Sequence, residues 1–196
     1  MKKLFMIAAM MVATLSANAQ NEVGQWSIKP MAGVNLATMT KTNDSKMRVG
    51  LAVGAELAVA AAENFEVSFG ALYSMQGVKG KTDILGVNVD QTYKFDYINI
   101  PVLANYYVAP GFAIKAGIQP GFNIKKKAKF EAAGVSEDAT VDDVKGFALS
   151  VPVGLSYEFS GVVIDARYNW GLTKAIKDFD SKHSYFSITL GYKIPF

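Results

Sequence analysis

The sequence predicts an all-β fold, an eight-stranded antiparallel up-and-down barrel, on three observations. Apolar side chains recur at every second residue through most of the 196-residue chain, which is the period of a β-strand. The connections between these alternating segments are short and long in turn. Beyond residue 19, no apolar run approaches the length of about 18 residues that a membrane-spanning helix needs.

The first 19 residues predict a secretory signal peptide that is cleaved. Lys2 and Lys3 form its basic start, Leu4–Leu15 its apolar segment, and Ala17–Ala19 an A-x-A cleavage site. Residues 20–196 then form a single barrel domain. The chain has 20 basic and 17 acidic residues, and two of the basic ones belong to the signal, so the mature protein is close to neutral. This balance excludes a nucleic-acid-binding protein, and the lack of cysteine excludes a disulfide scaffold or a thiolate metal site.

Eight segments carry the strand pattern, and the last one shows it most clearly. From Phe186 to Phe196 every second residue is large and apolar, while Ser187, Thr189 and Gly191 lie on the other face. The predicted strands are Trp26–Leu36, Arg48–Ala60, Phe65–Val78, Gln91–Val108, Phe112–Ile124, Phe147–Phe159, Val162–Gly171 and His183–Phe196.

The connections between these strands alternate in length. Three are tight hairpin turns with suitable residues, at Ala61–Asn64, Ala109–Gly111 and Ser160–Gly161. Four are longer and polar, at Ala37–Met47, Lys79–Asp90, Lys125–Lys145 and Leu172–Lys182. Short periplasmic turns at one end and four longer extracellular loops at the other are typical of transmembrane β-barrels of the outer membrane.

One predicted strand changes phase. Phe95 and Tyr97 share one face of the segment, whereas the apolar residues from Ile98 to Tyr106 take the other face. Two explanations remain open. A β-bulge near Tyr97–Asn99 would restore the register, or the strand projects beyond the bilayer, where sidedness is relaxed.

Two features indicate that the apolar face of the barrel is turned toward lipid. Small residues, which suit the crowded inside of a narrow barrel, occupy the polar face at Gly33, Gly50, Ala52, Gly54, Ala58, Gly70, Gly117, Ala148, Gly154 and Gly191. Aromatic residues, as in the girdles of membrane barrels, lie near the strand ends of the apolar face at Trp26, Phe65, Phe112, Phe159, Tyr73, Phe147 and Trp170. A soluble barrel with the opposite sidedness is the alternative.

With this sidedness, charged residues of both signs face the interior. An eight-stranded barrel is just wide enough to be filled by side chains. Because unpaired buried charges are costly, we expect these groups to pair in an ionic network. The predicted interior network consists of Lys29, Arg48, Glu56, Glu66, Lys94, Asp96, Lys115, Glu158, Asp165, Arg167 and Lys193. A gated polar path for a small solute is the alternative.

The sequence shows no pattern of catalytic, metal-binding or cofactor-binding residues. His183 is the single histidine and precedes Ser184, but neighbouring strand residues point to opposite faces, so the two do not form a hydrolase pair. Lys125–Lys127 and Lys129 suit the phosphates of lipopolysaccharide, whereas the acidic residues after them lack the spacing of a calcium loop. We therefore expect no enzymatic activity, no cofactor and no metal.

Four motifs carry a family resemblance: Tyr97–Leu103, Gly117–Gly121, Asp165–Leu172 and the last strand, Phe186 to Phe196. In these motifs the chain resembles the PorT-like outer-membrane β-barrel family of Gram-negative bacteria. The resemblance implies an eight-stranded barrel, and a few members are linked to protein secretion and gliding. Asn99 stands where the family usually has an acidic residue, so a role for that carboxylate does not carry over.

The last strand also resembles the C-terminal signal by which such barrels reach their assembly machinery, with Tyr192 and Phe196 as its residues. We therefore expect a monomeric, non-enzymatic outer-membrane barrel that contacts outer-membrane lipid, lipopolysaccharide and the barrel-assembly machinery. Its role is structural or depends on interactions of its extracellular loops. An accessory role in protein secretion, with a protein partner still to be identified, is the alternative. A narrow solute pore and a lipid-modifying barrel enzyme are less favoured.

Overall fold

The computed structural model describes residues 22–39, 46–84, 87–132, 135–140, 146–174 and 182–196. The signal peptide predicted for residues 1–19 lies outside these residues and stays a prediction. The strands are β1 (Trp26–Met39), β2 (Lys46–Ala62), β3 (Phe65–Ile84), β4 (Val87–Asn99), β5 (Val102–Ala109), β6 (Phe112–Ala132), β7 (Val135–Thr140), β8 (Phe147–Phe159), β9 (Val162–Lys174), β10 (Lys182–Tyr192) and β11 (Ile194–Pro195). No helix within the described ranges is long and apolar enough to cross a membrane.

The strands close into one antiparallel barrel, because the first strand pairs with the last. β1 is bonded to β2 on one side and to β10 and β11 on the other. β4 and β5 form one barrel strand, interrupted at Ile100–Pro101, since both pair with β3 and β6 in a continuous register. β10 and β11 likewise form one strand, and β7 lies beside β6. The predicted eight-stranded barrel is confirmed.

The closed sheet is strongly staggered. Following paired residues once around the barrel from Ala60 leads back to the same strand at Gly50, ten residues away. Such a stagger requires the strands to tilt relative to the barrel axis. Each inward-facing residue therefore approaches side chains from strands that are distant in sequence.

The three predicted hairpin turns are present at one end of the barrel. They lie at Glu63–Asn64, Pro110–Gly111 and Ser160–Gly161. In the last turn, φ values of 51° and 80° correspond to a type I′ turn, whose twist matches that of the flanking strands. The first and last strands also meet at this end of the barrel, where the amide of Phe196 donates a hydrogen bond to the carbonyl of Trp26 at 2.9 Å.

The apolar face of the strands points outward, and the polar face lines the lumen. Along β8, Val153, Leu155 and Phe159 are exposed, whereas Ser150 and Ser156 are buried. This outward apolar band is the surface that a membrane-spanning barrel presents to lipid. The predicted sidedness is confirmed.

Two of the four connections predicted as loops consist largely of strands, so the prediction was wrong there. Within Lys79–Asp90, β3 continues to Ile84 and β4 begins at Val87. Within Lys125–Lys145, β6 continues and β7 follows it. Backbone pairing extends these strands beyond the apolar band, where no buried face imposes the alternation that the sequence pattern relies on. The centres of the other two connections lie outside the described residues.

β4 keeps its phase and buries two aromatic side chains inside the barrel. Phe95 and Tyr97 are 0% and 1% exposed. The register shift lies on the neighbouring strand: Asp96 pairs with Lys125 and Tyr97 with Asn123, which leaves Ile124 of β6 as the additional residue. A bulge is therefore present next to Tyr97, but on β6, and the two lumenal aromatic residues explain the change of pattern in the sequence.

Candidate functional site

Five charged side chains meet in the lumen toward the end with the short turns, and we call them the central cluster. Four strands contribute them, β1, β2, β6 and β9. They are Lys29, Glu56, Lys115, Asp165 and Arg167, and all five are buried. Each lies at an inward position of its strand, so strand alternation alone directs it into the lumen.

Arg167 lies at the centre of this cluster. Its Nη2 is 3.0 Å from Glu56 Oε2 and 2.7 Å from Asp165 Oδ2, and its Nε is 2.6 Å from Asp165 Oδ1. Lys29 Nζ lies 2.8 Å from Glu56 Oε2, and Lys115 Nζ lies 2.7 Å from Asp165 Oδ2. The guanidinium thus bridges both carboxylates, and each carboxylate also has a lysine, which offsets the cost of burying the charges.

Two glycines make room for these side chains. A Cβ atom at Gly70 would lie 2.8 Å from Glu56 Cγ, and one at Gly154 would lie 2.9 Å from Arg167 Cγ. The same Cβ atoms would lie 2.3 Å and 2.4 Å from carbonyl oxygens of the adjoining strands. These positions therefore have space only for glycine, and the small residues of the polar face let long charged side chains cross the lumen.

A second group, which we call the turn-end cluster, consists of Glu66, Tyr107, Glu158 and Lys193. Lys193 Nζ lies 2.6 Å from Glu66 Oε2 and 3.5 Å from Glu158 Oε2. The Tyr107 hydroxyl lies 3.2 Å from Lys193 Nζ and 3.5 Å from Glu66 Oε2. The central cluster has one cation more than its carboxylates and the turn-end cluster has one carboxylate more than its cation, so together they balance. A cavity lined by both clusters separates them.

On the other side of the central cluster lies a neutral polar layer. The Tyr185 hydroxyl accepts hydrogen bonds from Asn99 Nδ2 at 2.9 Å and from Gln119 Nε2 at 2.6 Å. Asn35 Nδ2 donates to Ser74 Oγ at 2.9 Å. Sequence reasoning missed this layer because it searched the inward face for charges. The signal that could have found it is Tyr185, a large residue on the face where small residues prevail.

Three residues of the predicted network join neither cluster. Arg48 is buried farther along the lumen and donates to the backbone carbonyl of Gln76. Lys94 and Asp96 lie on the face of β4 opposite to its two lumenal aromatic residues, since alternate strand residues point to opposite faces. Asp96 is nevertheless only 1% exposed, and the place of Lys94 and Asp96 in the interior network stays a prediction.

The clusters connect strands that are distant in sequence. Ser184, which follows the single histidine, is buried but pairs with the outward-facing Trp170, and the side chain of His183 lies outside the described residues. Within the part of the chain that the structure describes, no three His, Asp or Glu side chains are grouped as metal ligands. What the arrangement does chemically is cross-link β1, β2, β6 and β9 through buried, charge-assisted hydrogen bonds.

The fold is similar to that of solved outer-membrane proteins. Ail, the attachment invasion locus protein of Yersinia pestis, solved in complex with the heparin analogue sucrose octasulfate, is 18% identical over 88% of this chain and 100% of its own, with a TM-score of 0.53. Neisserial surface protein A is 13% identical over 86% of this chain and 97% of its own, with a TM-score of 0.50. No curated protein sequence matches the chain.

A family model settles the assignment that the barrel geometry suggests. The model described as outer membrane protein beta-barrel domain matches residues 18–177, most of the chain. Together with the outward apolar band, this match places the protein in the outer membrane. The chain belongs to the outer membrane protein β-barrel domain family.

Proposed function

We propose that this protein is a non-enzymatic outer-membrane barrel that presents a hydrogen-bonded sheet above the membrane as a contact surface. The observation that carries the proposal is the extension of β3, β4 and β6 beyond the apolar band. The pairing of β6 with β8 ends at Phe122–Phe147, but β6 continues for ten more residues, to Ala132. At a strand rise of about 3.3 Å per residue, this extension is roughly 33 Å long.

The extension is a four-stranded sheet rather than a set of separate loops. β3 pairs with β4 as far as Ile84–Val87, β4 with β6 as far as Val89–Ala132, and β6 with β7 as far as Ala132–Val135. We call this part, residues 79–84, 87–93, 126–132 and 135–140, the projecting sheet. In the described part of the chain, β7 pairs with β6 alone, which supports the proposal that its other edge takes up a partner strand.

A photo-crosslinking amino acid at Ala139 on β7 tests the contact surface. In intact cells we expect it to form a discrete adduct with a partner, because the proposed contact adds a partner strand beside β7. The matched control carries the same amino acid at Ile164, which is exposed on the outward face of the barrel. Equal adducts at both positions, or an adduct at Ile164 alone, would contradict the proposal.

We also propose that the two charged clusters and the neutral layer fill the lumen as a structural plug. Full-length protein in planar bilayers is therefore expected to give no steady single-channel conductance, because the side chains that cross the barrel are held by ion pairs. The measurement is the current record at moderate voltage. Reproducible single-channel steps would favour the narrow solute pore instead.

Three further parts of the proposal concern relatives, assembly and oligomeric state. The motifs Tyr97–Leu103 and Asp165–Leu172 support a place among the PorT-like barrels, and an accessory role in secretion follows as the second function to test.

Tyr192 and Phe196 are proposed as the assembly signal. Phe196 is exposed beside the seam where β11 pairs with β1. The protein is proposed to be monomeric in outer-membrane lipid.

A further inference from the structure

The β-bulge on β6 changes which residues of this strand face outward. In the part of β6 before the bulge, the outward-facing residues are even-numbered, and Phe122 and Ile124 are exposed. Because Ile124 is the additional residue, Lys125 pairs with Asp96 and shares its outward position. Lys94, two residues before Asp96 and paired with Lys127 in the same register, lies on the same face of β4 as Asp96. The bulge therefore brings Lys125 to the same face as Lys94, just above the apolar band.

Contacts at this rim hold one carboxylate among several cations. The Tyr73 hydroxyl donates to Asp96 Oδ2 at 2.8 Å, and Lys125 Nζ lies 3.6 Å from the same oxygen. Arg48 also interacts electrostatically with Asp96. Among the described side chains on the outward face of this rim, the two cations Lys94 and Lys125 stand beside the single carboxylate of Asp96, so this described group carries net positive charge.

The exposure of these groups directs that charge toward the lipid headgroups. The side chain of Lys125 is 45% exposed, whereas that of Asp96 is 1% exposed. Lys94 is half-buried on the same face. The anion is thus covered, and a cation remains accessible directly above the exposed side chains of Phe122 and Ile124. At this depth, the neighbouring molecules of an outer-membrane protein are the phosphorylated lipids of the outer leaflet.

We propose that Lys94 and Lys125, supported by Tyr73 and Asp96, form a binding site for a phosphate group of lipopolysaccharide. The ammonium groups bind the phosphate, and the acyl chains of the same lipid pack on Phe122 and Ile124. Tyr73 and Asp96 are positioning residues, since the hydroxyl orients the carboxylate and the carboxylate holds Lys125 at the rim. This site does not depend on the projecting sheet having a partner.

The test compares lipopolysaccharide binding by full-length variants purified in detergent. A lysine near an anionic membrane surface contributes about fivefold to binding, so Lys94→Gln with Lys125→Gln is expected to weaken binding roughly 30-fold. The matched control is Lys126→Gln, because Lys126 pairs with the lumenal Phe95 and lies on the opposite face. Lys125→Arg should retain most of the binding. Heat-modifiable gel migration shows that each variant is folded.

Two ligand controls identify the phosphate and the lipid. Dephosphorylated lipopolysaccharide should bind the wild type about as weakly as intact lipopolysaccharide binds the double variant. Inorganic phosphate at millimolar concentration should not displace lipopolysaccharide, because it lacks the acyl chains. The proposal is overturned by an equal loss in Lys126→Gln, by equal binding of the dephosphorylated lipid, or by displacement with inorganic phosphate.

Discussion

Replacing Arg167 with methionine is expected to destabilise the folded barrel by about 3–5 kcal/mol, the usual cost of removing one partner from a buried ion pair. The guanidinium contacts both Glu56 and Asp165, whose side chains are 0% and 1% exposed. Methionine fills a similar volume but leaves two buried carboxylates with only the lysines as partners. The measurement is the free energy of unfolding in urea, with the protein reconstituted in lipid vesicles and folding followed by gel migration.

The control for this experiment removes the carboxylate charge together with the arginine. The variant Glu56→Gln, Arg167→Met should recover part of the lost stability, since removing one carboxylate restores the charge balance of the two lumenal clusters taken together. Arg48→Met is a matched single change, because Arg48 lies outside the cluster and donates to a backbone carbonyl. A loss for Arg167→Met no larger than that for Arg48→Met would show that the cluster does not hold the strands together.

Replacing Val153 with arginine is expected to destabilise the barrel in lipid by about 2–4 kcal/mol, the cost of a basic side chain at the bilayer midplane. Val153 is the middle residue of β8 and is 52% exposed on the outward face. The guanidinium would have to leave water for hydrocarbon. The urea unfolding measurement described for Arg167 applies here, in vesicles rather than in detergent.

The control is Phe159→Arg, which introduces arginine at the end of the same strand. Phe159 is 69% exposed on the same face, next to the Ser160–Gly161 turn. At that depth arginine is expected to cost only about 0–1 kcal/mol, since its charge reaches the interface. Equal costs at both positions would contradict a lipid-facing band across β8.

Most of the barrel was predictable because its strands repeat one simple rule. In β8 the alternation of large apolar and small or polar residues runs the full length of the strand, which was predicted over its observed residues, and the last strand, β10 together with β11, was predicted to within one residue at each end. The rule failed in the upper parts of β3, β4 and β6. There the strands rise beyond the bilayer, so no lipid-facing side requires apolar residues and the pattern disappears although the pairing continues.

For the charged residues, the sequence predicted which side chains face the lumen but not which of them contact each other. Lys29, Glu56, Lys115, Asp165 and Arg167 were identified from parity alone, because a strand in constant phase sends alternate residues inward. Which of them touch was not predictable. Arg167 reaches Glu56 across 111 positions of the chain, and only the stagger of the closed sheet brings these residues to the same level.

The sequence by itself determined the barrel, the outward direction of its apolar face and most of the charged residues that face its lumen, since each depends on local alternation and turn chemistry. Barrel closure and strand register established the rest: the partners of Arg167, the neutral layer around Tyr185, and the lumenal place of Phe95 and Tyr97. The single additional residue Ile124 on β6 shows why. A register shift of one residue reverses the face of every following side chain, and it depends on pairing with a neighbouring strand that the local sequence does not specify.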